Sequence, residues 1–186
     1  MNWNTGRQRL FEEKLSRVTA ACGFLLSWVD NPEWIAFCDE FIPAARLPSH
    51  NTLSRRIIPN VAADFQAYAC TDSKGHYGTL QDDGWTGVNS HHLLVSMVAV
   101  NGKVHPIQVD NVSGDRKTAE NIIQHLEQAM EELTTKWEIA LVAIVTDASG
   151  EYHKAKKILQ LKYPSLIILD CYVHQVCQKL TQIKSY

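Results

Sequence analysis

No Cys-x-x-Cys pair occurs in the 186 residues, so this stretch has no ligand frame for a zinc finger or zinc ribbon. The five cysteines, Cys22, Cys38, Cys70, Cys171 and Cys177, are odd in number and irregular in spacing. They read as reduced thiols of an intracellular protein. Glycine and proline are few, at 9 and 6, which excludes a collagen-like repeat or a low-complexity tail. No apolar run approaches the ~20 residues of a membrane span. The longest lie near residues 22–29 and 93–100, and no membrane partner is expected. The first residues, MNWNTGRQRLFEEKL, lack the positive-then-apolar order of a secretory leader. Charge leans to neither sign: 18 Lys and Arg stand against 20 Asp and Glu, a net of −2. A protein that coats nucleic acid is strongly basic. Any nucleic-acid role must therefore rest on a local patch or on parts of the protein beyond this chain. A soluble protein of the cytosol or nucleus is expected.

What is present suits one compact domain with a small helical appendage: 45% of the residues are hydrophobic and 20% charged. Leu10, Leu15, Val18, Ala21 and Leu25 recur at steps of three to five, which predicts a first helix. Asn31-Pro32 breaks it and starts a short second helix through Phe41. A third helix is predicted over 51–68, kinked or split by Pro59. Residues 71–77 read as a turn-rich linker.

The period then changes. Residues 77–86 and 91–100 read as strands, and Asn101-Gly102 is a two-residue hairpin signal leading into a third strand over 104–109. Apolar residues at helical spacing from Ala119 to Leu133 predict an amphipathic helix over 118–136. Residues 139–145 form a continuous apolar run, which predicts a strand covered on both faces. A helix over 151–161, a strand over 166–169 and a last helix over 171–183 complete the series. Three helices followed by β-β-β-α-β-α-β-α predict a mixed α/β sheet, an antiparallel meander joined to α/β crossovers. Charge divides unevenly along it. Residues 79–150 hold four Lys/Arg and ten Asp/Glu, whereas 151–186 hold six Lys and two acids.

Two aspartates stand out by position. Asp83 falls on the first strand, and Asp147 directly follows the apolar strand. A carboxylate at the C-terminal edge of an open α/β sheet lies where ligands bind. If those strands are neighbours, the pair suits a hard cation such as Mg²⁺ or Mn²⁺ that keeps several waters. The plain alternatives are a turn residue for Asp83 and a helix cap for Asp147. Cys171 and His174, three apart, would share a helix face, yet one Cys and one His do not fill a tetrahedral metal site. A buried thiol and a histidine bonded to the backbone account for them equally.

Asp83-Gly84-Trp85-Thr86, then Thr146-Asp147-Ala148, then Cys171-Tyr172-Val173-His174 follow one another at intervals of 64 and 24 residues between Asp83, Asp147 and Cys171. Together they resemble the hAT superfamily of DNA transposases, closest to the DUF659 group that often follows a BED finger. The resemblance covers roughly residues 20–184. It implies an RNase H-like fold, with a helical region over 1–70 and a partial catalytic domain over 71–186. It implies that Asp83 and Asp147 are two of three acidic ligands for Mg²⁺ or Mn²⁺, and that DNA transposition in the nucleus is the activity of the intact enzyme. It implies that Trp85 stacks on a flipped base, with His174 near the active site and Cys171 its supporting partner. Trp85 as ordinary core is the alternative. The family pattern has Asn where this chain has Ala148 and Gly150. Its third acid, a Glu, follows a long helical insertion, and Glu151 is too near Asp147 to be that residue. A fragment inactive alone is therefore expected, with DNA ends as partner and homo-oligomerisation through regions outside the chain.

Two rivals remain. One is an exapted or decayed transposase module that binds DNA or protein without catalysis, through the lysines at 154, 156, 157, 162 and 179. The other is an unrelated RNase H-like nuclease, which would draw further ligands from Asp82, Asp110 and Asp170.

Overall fold

The computed structural model describes residues 3–87 and 89–172, which form two compact units divided after Ala67. The predicted helix over 171–183 lies, from residue 173 on and so with His174, outside the described residues.

The first unit is helical. Helix α1 (Thr5–Ala21) starts at Asn4, whose side chain accepts the Arg7 N–H, and α2 (Pro32–Phe41) starts at Asn31, whose side chain accepts the Glu33 N–H. Leu15, Val29, Leu53 and Ile57 make its small core, with Phe11, Trp28, Trp34, Ile58 and Val61 packed round them. A helical turn α3 (His50–Thr52) leads through a π-helical turn (Leu53–Ile57) into α4 (Ile58–Ser73). Pro59 neither splits nor ends this helix. The Ile58 N–H reaches back five residues to the Leu53 carbonyl, and the widened turn lies immediately ahead of the proline, which has no N–H of its own to donate. The helix runs on to Ser73, so the expected linker over 71–77 shrinks to the turn after it.

The second unit is built on a five-stranded sheet of order β3-β2-β1-β4-β5. Its strands are β1 (Tyr77–Thr86), β2 (His92–Val100), β3 (Lys103–Asn111), β4 (Ala140–Thr146) and β5 (Ile167–Asp170). The first three form an antiparallel meander; β4 runs parallel to β1, and β5 parallel to β4. This is the mixed sheet that the element order predicts, in the RNase H-like arrangement that the resemblance implies. Asn101 and Gly102, with φ of 50° and 72°, make the hairpin turn whose left-handed backbone matches the twist of the strands it joins. Pro106 sits on the edge strand β3, where no partner needs its missing N–H, and the ladder slips by one residue beside it.

Helix α5 (Ala119–Thr135), capped by the Thr118 side chain on the Asn121 N–H, lays Ala119, Ile122, Leu126, Ala129 and Leu133 on the sheet. Helix α6 (Gly150–Lys162) packs beside it and adds Tyr152, Ala155 and Leu159 to the same core. Leu80, Val98 and Ile144 meet them from the sheet and are fully buried. The apolar run of β4 is not covered on both faces as predicted: Ile144 and Thr146 are buried, while Val145 is half-buried and Val142 is 38% exposed. Among the described residues no helix is long and apolar enough to cross a membrane.

Candidate functional site

Strand pairing places the two predicted aspartates side by side. Asp82 of β1 pairs with Thr146 of β4, so Asp83 and Asp147 each stand one residue beyond that rung, where the parallel pairing of the two strands stops. Both are half-buried. Asp83 Oδ1 accepts the Gly84 N–H at 2.9 Å, and Asp147 Oδ1 accepts the Ala148 N–H at 2.5 Å. Both carboxylates are near enough to raise the pKa of Tyr152, after burial and the closer Asp82. The intervening position of the Asp-Gly-Trp segment has a packing reason to be glycine. A Cβ on Gly84 would meet Leu94 Cδ2 at 2.7 Å. Trp85, on the same strand face as Asp83, is 44% exposed, which excludes ordinary core.

Strand β5 ends at Asp170, opposite Thr146 of β4. Between these strand ends lies Lys156 of α6, only 8% exposed. Its ammonium donates to the Asp147 carbonyl at 2.8 Å and to the Asp170 carboxylate. Burial pulls its pKa down, and the negative charge of Asp147 partly restores it. Cys171 follows at once, half-buried, its N–H donating to the Thr146 carbonyl at 2.8 Å.

The opposite face of β1 carries a second polar cluster that sequence reasoning missed. Asp82 is 4% exposed and its carboxylate lies inside the core. Tyr152 Oη donates to Asp82 Oδ1 at 2.5 Å, Ser96 Oγ donates to Oδ2 at 2.8 Å, and His125 Nε2 lies 3.1 Å from Oδ2. The other ring nitrogen, Nδ1, lies 3.2 Å from Asp110 Oδ2. Nδ1 also lies 3.4 Å from the Gln108 amide nitrogen, and a ring with a carboxylate near each nitrogen is favoured in its doubly protonated form, in which both nitrogens donate. Burial opposes that charge; the bond to Asp82 and the charges of Asp82 and Asp110 outweigh it, and the His125 pKa is raised. Burial also pushes the Tyr152 hydroxyl strongly up, reinforced by Asp82.

Ser96, His125 and Asp110 stand in the order of a hydrolase triad, with 3.1 Å from Ser96 Oγ to Nε2. The arrangement is nonetheless structural. Ser96 is fully buried, its hydroxyl proton is directed to Asp82, and no substrate reaches it. Asp110, His125 and Tyr152 also line a cavity of about 440 Å³ beside the start of α5.

No family model matches the sequence, and no curated protein matches it significantly. Among solved structures, the catalytic core domain of BIV integrase aligns over 50% of this chain and 54% of its own, at 14% identity and a TM-score of 0.32. A Ppx/GppA family member from Aquifex aeolicus aligns over 52% of this chain and 35% of its own, at 12% identity and a TM-score of 0.30. The chain thus spans about half of the integrase core it matches and about a third of the Ppx/GppA protein.

Proposed function

We propose that this chain is the N-terminal part of a hAT-type transposase catalytic domain, acting on DNA in the nucleus. One observation carries this: Asp83 and Asp147, the acids of the first two resembling motifs, each follow the last paired rung, Asp82 with Thr146, of two adjacent parallel strands in an RNase H-like sheet. Asp83, 64 residues from Asp147 in sequence, is brought beside it only by this topology.

Two half-buried carboxylates on adjacent strands fit a hard divalent cation that keeps most of its water. They do not fill a complete site: among the described residues no group of three or more His, Cys, Asp or Glu side chains is placed to hold a metal ion. A third ligand comes from elsewhere on this reading. Bound Mg²⁺ or Mn²⁺ supplies a nucleophile at neutral pH and offsets charge at the phosphorus. The chain's own residues hold and orient. Asp83 is fixed by a strand paired on both sides. Asp147 is fixed through its carbonyl by Lys156. Trp85 offers an exposed indole face to an unstacked base.

Calorimetric titration with Mn²⁺ tests the reading. Wild type is expected to release heat that Asp83→Asn and Asp147→Asn each abolish. Equal heats from wild type and both variants would overturn it.

A further inference from the structure

The four described lysines of the basic stretch are not equivalent. Lys154 pairs with Glu120 at 3.3 Å and Lys162 with Glu127 at 2.7 Å, both across to α5. Among the described residues Lys157 has no ion-pair partner. Beside it lies Lys156, whose ammonium has three N–H bonds. Two of them go to the Asp147 carbonyl and the Asp170 carboxylate. Both lysines, with His153, Gln160, Ile168 and Asp170, line a hollow of about 200 Å³ next to the ends of β4 and β5.

We propose that this hollow is a phosphate subsite for the backbone of a nucleic acid. A water occupies about 30 Å³, so the hollow admits a phosphate group with some of its water. The donors are of the right kind: the third N–H of Lys156, the Lys157 ammonium, the Gln160 amide and the His153 ring. The charge decides the class of phosphate. Two lysines are offset by the Asp170 carboxylate in the hollow and the Asp147 charge nearby, a balance that tolerates the single negative charge of a phosphodiester better than a doubly charged group. A terminal phosphate, near minus two, would be undercompensated. A buried lysine held from two sides has also already lost its side-chain freedom, so binding costs less ordering there than at a free surface lysine. The subsite extends the proposed function, because Lys156 touches Asp147 and a strand seated here runs along the edge that presents both aspartates.

The test is binding of a labelled DNA duplex by the full chain, followed by fluorescence anisotropy from about 50 to 200 mM salt. Wild-type affinity is expected to fall linearly on a log–log plot. Lys157→Ala should flatten that slope by about 0.9, the value for one lost phosphate contact, and weaken binding alike for unrelated sequences. Lys154→Ala, which breaks an existing ion pair, should leave the slope unchanged. Lys157 is exposed, so circular dichroism of the variant should match wild type. An unchanged slope in Lys157→Ala overturns the subsite while leaving the Mn²⁺ result at Asp83 and Asp147 to judge the proposed function. No duplex binding by wild type at the lowest salt overturns it too. So does inorganic phosphate that binds in a Lys157-dependent way when duplex binding does not depend on Lys157.

Discussion

Asp82 and Asp83 are the same residue, one position apart on the same strand, and they have opposite surroundings. Asp82 faces the helices and takes three side-chain hydrogen bonds from β2, α5 and α6. Asp83 faces the other way, half-exposed, at the edge it shares with Asp147. A pleated strand sends neighbouring side chains to opposite faces, so a step of one residue separates a carboxylate that holds the fold from one placed to bind. The difference shows why a pair of adjacent acids gives no guide to function until the strand's register is known.

The contrast breaks most readily on the buried side. His125→Leu removes the imidazole between two aspartates and takes from the buried Asp82 carboxyl one of its three side-chain partners. A loss of about 3–5 kcal/mol in urea unfolding is expected, and a loss below about 1 kcal/mol would show that the cluster does not hold the fold. Tyr152→Phe keeps the ring and removes one donor to a buried carboxylate, for a loss of about 1.5–3 kcal/mol by the same measurement. The pH dependence has a definite sign. The folded pKa of His125 is raised above its ordinary value. Its contribution is therefore complete below about pH 6.5, the unperturbed value, and is lost as pH rises through the folded pKa. The urea midpoint of wild type should fall across that interval relative to His125→Gln, and parallel pH profiles would refute the imidazolium assignment. The smallest effect is expected on the other face. Asp83→Asn should change stability by no more than about 0.5 kcal/mol, since the side chain is half-exposed and Asn keeps its shape, yet it should abolish Mn²⁺ heat. A large loss of stability there would erase the distinction between the two aspartates.

The meander, both crossover helices and the place of Asp147 after an apolar strand were legible because each rests on a local signal, whereas the nearness of Asp83 to Asp147 depended on which strands are neighbours. Asn101-Gly102 determines a turn, α5 carries a periodic apolar stripe, and a run of apolar residues ends at Asp147. The Asp82 cluster has no such signal. Its bonds join residues 14, 43 and 70 positions apart, and only folding brings them together. One clue was present: His125 lies on the apolar stripe of α5 between Ile122 and Leu126, and a histidine placed there needs a polar partner inside the core. The π-helical turn before Pro59 was likewise hidden, because a proline signals a lost hydrogen bond but not where the backbone compensates. Full cover for β4 was predicted from composition, which reports apolar residues and not what lies over them.

The outer strand β3 carries a proline and a slipped register on the side of the sheet away from β4. A flat edge invites another chain to add a strand and so seeds fibrils; a missing N–H and a local kink spoil that template. The sheet is thus sealed against extension at its meander end, and a crowded solution of this protein is protected there from stacking edge to edge without any further device.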